Sequence, residues 1–325
     1  MIDLKSFEVF RQYVYQPFTN NGKKFLLSSE PYLDIVLTDF CNSRCGFCIG
    51  NLSGNKAVGV LSEFKKKIKY AVDYMNVKEV LLLGGEPTIS VMLLDIIKYC
   101  KSLNLNKICM TTNGYRLKDE VFRNSIMKSG LTHLNISLMN LDEKKQREWN
   151  NNSNSLSLSD ISDICIAAQE NNVSIRINAN SFKGNLDSVS EIVEFYEILD
   201  GWVDSIKISP LLKTDDFSVY QGVNDWVNAH ILHDNEYDAL FTAVIKHFES
   251  VEYVNPIDNP DTFGFVRNTI IPLYPTVVIL NWNQHGKMMK KVTEEHKINN
   301  IKLLTNGELS LSWNKRNSEY FIKTE

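Results

Sequence analysis

The chain has 325 residues, 43 % of them hydrophobic and 23 % charged, which is the composition of an ordinary globular protein large enough for one big domain or two small ones. A net charge of −4 argues against the basic face that extended nucleic-acid binding requires, though it leaves room for a nucleotide or a short peptide as substrate. No apolar run reaches membrane-spanning length and Met1-Ile2-Asp3-Leu4 opens no export signal, so no membrane partner is expected and the six cysteines fit a reducing, cytoplasmic setting.

Residues 1–30 read as an N-terminal extension in which Leu4, Phe7, Phe10 and Val14 approximate one helical face and Asn20-Asn21-Gly22 marks a turn. A short apolar strand is predicted over 33–37, followed by a loop over 39–51. Strands and helices then alternate. Helices are predicted over 62–74, with Ser62 as N-cap, and over 90–101, 118–128, 160–170 and 188–199. Strands are predicted over 79–83, 108–112, 133–138, 174–178 and 205–208. The Asn- and Ser-rich stretch 150–159 reads as a flexible loop. Six βα repeats with short Val/Ile/Leu-rich strands imply a parallel sheet covered by helices, and right-handed crossovers curve it into a barrel. From Pro210 the rhythm changes. Residues 210–235 read as an irregular excursion containing Trp226, 236–248 as a helix, 276–280 as a strand, and 301–313 as a β-hairpin turning at Asn306-Gly307.

The loop after the first strand carries Cys41, Cys45 and Cys48, spaced C-x3-C-x2-C. Three close thiolates suit three irons of a [4Fe–4S] cluster, leaving one iron open because the next cysteine is Cys100. A partial zinc site or three buried apolar cysteines are the alternatives, but no second pair or histidine follows at zinc spacing. The strand over 79–83 ends in Gly84-Gly85-Glu86-Pro87. Two glycines there allow close backbone approach to a ligand, and Glu86 offers a carboxylate acceptor. Cys100, Cys109 and Cys165 have no cluster spacing and read as packing residues.

These two motifs, in this order and at these strand ends, resemble the radical SAM superfamily, and the resemblance spans about residues 31–212. It is nearest to the branch of molybdenum-cofactor-cyclase-like and viperin-like enzymes. The resemblance implies an α/β fold: a partial (β/α)6 parallel barrel over 31–212, with an α+β extension over 213–325 covering the barrel opening. It also implies one [4Fe–4S] cluster on Cys41, Cys45 and Cys48, with S-adenosylmethionine (SAM) on the open iron. Phe47 matches the family's aromatic position before the third cysteine. Gly84, Gly85 and Glu86 match the motif that receives the SAM amino group, while Ser137 and Asn178 match strand-end segments that approach its carboxylate or ribose. Asn113, Asn140, Asn180, Ser209 and Lys213 are further polar strand-end residues, of which Asn113 is assigned to SAM.

The family chemistry so implied is reductive cleavage of SAM to a 5′-deoxyadenosyl radical, which takes a hydrogen atom from substrate, with a flavodoxin or ferredoxin as reductant. No cysteine follows Cys165, so no auxiliary-cluster domain is expected, and 1–30 is too short for a peptide-recognition domain. Both observations favour a nucleotide, sugar or other small metabolite over a ribosomally made peptide. A non-catalytic iron–sulfur electron carrier ranks third, since it needs no SAM motif. Trp282, Asn283, His285 and Lys287 are the candidate substrate residues in the C-terminal third, where a pocket with polar groups over an apolar wall is expected.

Overall fold

The computed structural model describes residues 14–48, 57–211, 221–251, 254–259, 268–282, 297–312 and 320–324. The helical face proposed for residues 4–14 lies outside them, apart from Val14. A hairpin comes first: β1 (Tyr15–Asn20) pairs antiparallel with β2 (Lys23–Val36). Asn21 and Gly22 sit at the turn with φ of 49° and 76°, the left-handed geometry that a tight hairpin of this twist demands. The strand predicted over 33–37 is therefore only the buried end of a longer one. Its outer half alternates too weakly to read as a strand.

The βα alternation then runs as expected. α1 (Leu61–Met75), β3 (Glu79–Leu83), α2 (Leu93–Ser102), β4 (Lys107–Thr112), α3 (Glu120–Met127) and β5 (His133–Ser137) lead to α4 (Glu143–Trp149). After it come α5 (Leu158–Glu170), β6 (Ser174–Ser181), α6 (Val189–Leu199) and β7 (Ser205–Pro210). β2 through β7 pair in chain order, all parallel. Strand β6 explains the layering. Ile175, Ile177, Ala179 and Ser181 are buried, while Ser174, Arg176, Asn178 and Asn180 alternate with them at intermediate burial. The three apolar members join the helices in one continuous core with Phe64, Ile68, Ile96 and Ile164, so the polar members share the opposite face.

Three local expectations are corrected. Ser62 does not cap α1; Val60 holds that position with no side-chain bond. Helix α4 forms where no helix was read, capped by Asp142, whose carboxylate accepts from the Lys144 and Lys145 N–H groups. Helix α5 begins inside the Asn/Ser stretch, because Ser157 and Asp160 form a reciprocal capping box.

The C-terminal third holds α7 (Gln221–His230), where an irregular excursion was expected, and then α8 (Asp234–Val251). It also supplies β8 (Ile257–Asn259), β9 (Asn268–Ile271), β10 (Val277–Asn281), β11 (Lys297–Leu303) and β12 (Leu309–Ser310). The predicted hairpin is present: β11 and β12 pair antiparallel, with Gly307 at φ 84° in the turn. These strands extend the core sheet at both edges. β10 lies parallel to β7, and β11 lies parallel to β2. The sheet runs β12-β11-β2-β3-β4-β5-β6-β7-β10-β9-β8 and stays open. β11 is fastened by buried polar groups: Lys302, opposite Asp34 in register, donates to Asn300 Oδ1 at 2.8 Å, and Asn300 donates to Asp34. Both added strands end on the same rim as the core strands, since Leu280 pairs with Ile208 and Leu303 with Ile35.

Tyr237 links α8 to that rim. Its buried hydroxyl donates to the Ser181 carbonyl and accepts from Leu211 N at 3.2 Å. Removing it in Tyr237→Phe leaves two buried backbone groups short of a partner, and about 1–3 kcal/mol of stability should be lost. Urea unfolding of the variant checks this; an unchanged midpoint would contradict the link.

Candidate functional site

The chain leaves β2 at Leu37 and turns through the cysteine loop on the C-terminal rim of the strands, where parallel barrels place their chemistry. Cys41, Cys45 and Cys48 stand as reduced thiols at intermediate burial on this one loop. Cys48 N donates to Cys45 O at 3.1 Å, and Ser43 N points at Cys41 Sγ at 3.3 Å. Burial, then the neighbouring Cys48 and Cys41, push the Cys45 thiol up to about 12, so the three sulfurs share one electrostatic environment. Among the described residues no three His, Cys, Asp or Glu groups converge on a single metal ion. A cluster places each thiolate on a different iron and needs no such convergence. Three thiols on one loop, with a backbone N–H already aimed at one sulfur, fit that group.

The glycines of Gly84-Gly85-Glu86 serve the chain itself. A side chain on Gly84 would come within 2.6 Å of Thr38 O, and one on Gly85 within 2.1 Å of Phe40 O. This close approach lets Gly85 N donate to Thr38 O at 2.7 Å and Glu86 N to Phe40 O at 2.8 Å. The segment is thereby stitched to the entry of the cysteine loop.

The Glu86 carboxylate is engaged inside the protein. The residue is 2 % exposed, and its carboxylate is committed to protein donors. Oε1 accepts from Thr88 N at 3.0 Å, Thr88 Oγ1 at 2.6 Å and Thr112 Oγ1 at 2.5 Å, and Oε2 accepts from Asn113 N at 2.9 Å. Burial raises its pKa, and these bonds oppose the rise. What this segment offers at intermediate burial is the backbone of Gly84 and Gly85, not a carboxylate. Asn113 is likewise engaged: its Nδ2 donates to Asn42 Oδ1 at 2.7 Å, and its Oδ1 accepts from Tyr115 N at 3.2 Å.

The Asn/Ser stretch read as a flexible loop closes on the cysteines from the other side. Asn152 Nδ2 donates to Asn42 O and, at 2.8 Å, to Ser43 Oγ. Arg44 N donates to Asn150 O at 3.0 Å, and Gly46 N to Trp149 O at 3.2 Å. Cys45 Sγ lies 3.3 Å from Asn150 Oδ1, and Asn150 Nδ2 lies 2.7 Å from the Tyr115 hydroxyl. An aromatic group completes the enclosure. Phe47 packs on Phe182 and Trp226 at centroid distances of 6.2 and 5.7 Å, and Trp226 stacks on His230 at 4.0 Å. Trp226, on α7, presses so closely on Gly46 that a Cβ there would meet its ring at 2.7 Å.

Farther along the rim, Ser137 and Asn178 pair in register on the polar face of the sheet. Among the described residues Asn178 Oδ1 is a buried acceptor with no hydrogen-bond partner. Asn180 and Ser209 pair one rung farther on. Asn140 is turned away into a bond from its Nδ2 to Asn185 Oδ1 at 2.8 Å. Trp282 follows β10 on the same rim, but its ring meets Phe241 of α8 edge-on at 5.3 Å and its indole N–H donates to Thr269 Oγ1 at 2.8 Å. It is partly buried and packs against the main core cluster. Lys213, Asn283, His285 and Lys287 lie outside the described residues. Cys100 and Cys165 belong to the core as expected, and Cys109 accepts from Asn135 Nδ2 at 3.3 Å on the polar face.

Sequence reasoning missed Thr88, Thr112, Tyr115, Asn150, Asn152 and Trp226. For Asn150 and Asn152 the available signal is the density of Asn residues within 150–159, the stretch that reads as a flexible loop.

Comparison with known proteins bears on this site. The Radical SAM superfamily model matches residues 35–199. The GTP 3′,8-cyclase of Clostridium perfringens is 35 % identical over 122 residues, 36 % of this chain and 37 % of the relative. That of Aquifex aeolicus is 27 % identical over 201 residues, 60 % of this chain and 58 % of the relative. The matches thus span well under two thirds of these curated relatives. Among solved structures, Streptococcus suis SuiB bound to S-adenosylmethionine aligns with a TM-score of 0.64 at 17 % identity, covering 90 % of this chain and 63 % of SuiB. Native anSMEcpe with bound AdoMet and Cp18Cys peptide aligns with a TM-score of 0.55 at 12 % identity, covering 89 % and 76 %.

Two variants probe the frame. Glu86→Ala strips the acceptor from four buried bonds, and on the order of 3 kcal/mol should be lost even if the threonine hydroxyls find other partners. Gly85→Ala cannot keep the Phe40 contact, and the protein should lose iron-binding capacity as the loop shifts. Thermal melts and iron analysis after anaerobic reconstitution check both; wild-type values in both variants would refute the frame.

Proposed function

This chain belongs to the radical SAM superfamily, and from that membership we propose that its cysteine loop and strand-end rim form the active site of a radical enzyme acting on a small, polar metabolite. As a member of the family it is an enzyme that uses a [4Fe–4S] cluster and S-adenosylmethionine. When bound, these supply reductive cleavage of the sulfonium and abstraction of a hydrogen atom from an unactivated C–H bond.

The chain's own residues do the rest. In this reading Cys41, Cys45 and Cys48 hold the cluster. The backbone of Gly84 and Gly85, rather than the Glu86 carboxylate, receives the SAM amino group. Phe47 supplies an aromatic wall, and Asn113 steadies the loop from below. Ser137 and Asn178 take the polar part of SAM. The unpaired Asn178 Oδ1, beside Ser137 and on the rim of the cysteine loop, is the observation that carries this assignment.

The substrate reading rests on the sheet's polar face. Arg176, Asn178 and Asn180 alternate there along β6, and Lys207 stands opposite Asn178 in register. Such a surface suits a nucleotide, a sugar or a comparable polar metabolite better than an apolar one. The name GTP 3′,8-cyclase states that those relatives act on a nucleotide, which agrees with this ranking. A ribosomally made peptide is the second reading. SuiB has been solved with its precursor peptide, but at 21 % identity that likeness concerns the fold. A flavodoxin or ferredoxin serves as electron donor and the cytoplasm as location. Among the described residues no helix is long and apolar enough to cross a membrane.

In the same reading 31–212 is the catalytic unit and 213–325 its substrate cover, with 1–30 an N-terminal extension. Two contacts support the cover. Trp226 packs on the cysteine loop, and Thr305 Oγ1 donates to Asp39 Oδ2 at 2.8 Å at the loop's entry. Enclosure by these elements excludes water from a reactive intermediate.

Anaerobic assays with SAM and a chemical reductant test the proposal. The wild type should bind about four irons per chain and form 5′-deoxyadenosine, and the triple variant Cys41→Ala, Cys45→Ala, Cys48→Ala should do neither. Asn178→Ala should keep its iron while SAM affinity falls roughly tenfold, the loss of one buried hydrogen bond of about 1.4 kcal/mol. Iron retained by the triple variant, or SAM affinity unchanged in Asn178→Ala, would refute the corresponding assignment.

A further inference from the structure

Asn150 follows the last turn of α4 and is 7 % exposed, and its neighbour Tyr115 is 8 % exposed. The amide lies between two partners: Oδ1 is 3.3 Å from Cys45 Sγ, and Nδ2 is 2.7 Å from the Tyr115 hydroxyl. With a thiol at Cys45, the S–H donates to Oδ1 and Nδ2 donates to the tyrosine oxygen. A metal-bound cysteine has no proton to give, and the same arrangement would set two acceptors against each other. A half-turn of the carboxamide resolves this, because its O and N occupy nearly equivalent positions and a tyrosine hydroxyl can donate as well as accept. Nδ2 then donates to Cys45 Sγ, and the Tyr115 hydroxyl donates to Oδ1. The backbone of Asn150 stays in place, held by Arg44 N.

We propose that in the cluster-loaded protein Asn150, oriented by Tyr115, is a positioning residue that donates an N–H···S hydrogen bond to the Cys45 sulfur and thereby raises the reduction potential of the cluster. A hydrogen bond to a ligand sulfur withdraws electron density and favours the more negative, reduced state. The bond is made to the sulfur of a cluster ligand, so it acts on the ease of electron entry.

This rests on the assignment of Cys45 as a cluster ligand, so the test begins with iron. Full-length protein is reconstituted anaerobically, its iron is counted, and its midpoint potential is read by a redox titration followed by electron paramagnetic resonance. Asn150→Leu should keep about four irons and shift the midpoint to a more negative potential. Tyr115→Phe, which leaves the amide but removes the donor that orients it, should shift it the same way by less. Arg147→Ala, which alters the same helix by removing bonds to Glu143 and Ser155, should leave the midpoint where it is. A wild-type midpoint in Asn150→Leu overturns the proposal, as does an equal shift in Arg147→Ala. If Asn150→Leu fails to hold iron, Tyr115→Phe decides, and no shift there overturns the proposal. Failure of the wild type itself to bind four irons sinks the cluster assignment instead, a distinct result.

Discussion

The buried carboxylate of Glu86 is the constraint on which the site depends. It gathers Thr88 from its own turn and Thr112 and Asn113 from the end of β4, while its backbone N–H reaches Phe40 in the cysteine loop. One residue thus ties the turn after β3, the end of β4 and the cysteine loop together. An isolated buried carboxylate is costly, and four donors are what make this one tolerable. The two glycines before it are small because the chain's own backbone at Thr38 and Phe40 occupies the space a side chain would need.

The cysteine loop is therefore framed from three directions: by the Gly84–Glu86 segment, by Asn150 and Asn152, and by Trp226 of α7. Were the proposed cluster bound there, this frame would limit the movement of its ligands, and fixed positioning of reacting groups is a recognised source of rate. The third support comes from the C-terminal third. That region also lends β10 and β11 to the edges of the sheet, so enclosure and scaffold are built from the same residues.

Much of this was legible in the sequence. The alternation of apolar strands and amphipathic helices from residue 61 to 210 maps closely onto the structure, because each strand carries one apolar face and each helix one apolar stripe. The cysteine spacing and Gly84-Gly85-Glu86-Pro87 pointed to one rim, and the two segments do meet there through Gly85 N to Thr38 O and Glu86 N to Phe40 O. The role of Glu86 was not legible, since a motif states which residues stand together and not which way a carboxylate turns. Asn150 and Asn152 were hidden for a related reason: an Asn-rich run looks the same whether its amides face water or grip a neighbouring loop. Helix α7 was missed because its contacts are made to Phe47 and Phe182, far away in sequence. The edge contact of Trp282 with Phe241 was equally hidden, since it joins β10 to α8 across the fold.

The most direct test is an anaerobic crystal structure of the protein loaded with cluster and S-adenosylmethionine. Cys41, Cys45 and Cys48 should each ligate one iron. Glu86 should remain buried on Thr88, Thr112 and the Asn113 N–H, with the methionine amino group meeting the backbone of Gly84 and Gly85. A Glu86 carboxylate swung out to the amino group, with its threonine bonds broken, would contradict the account.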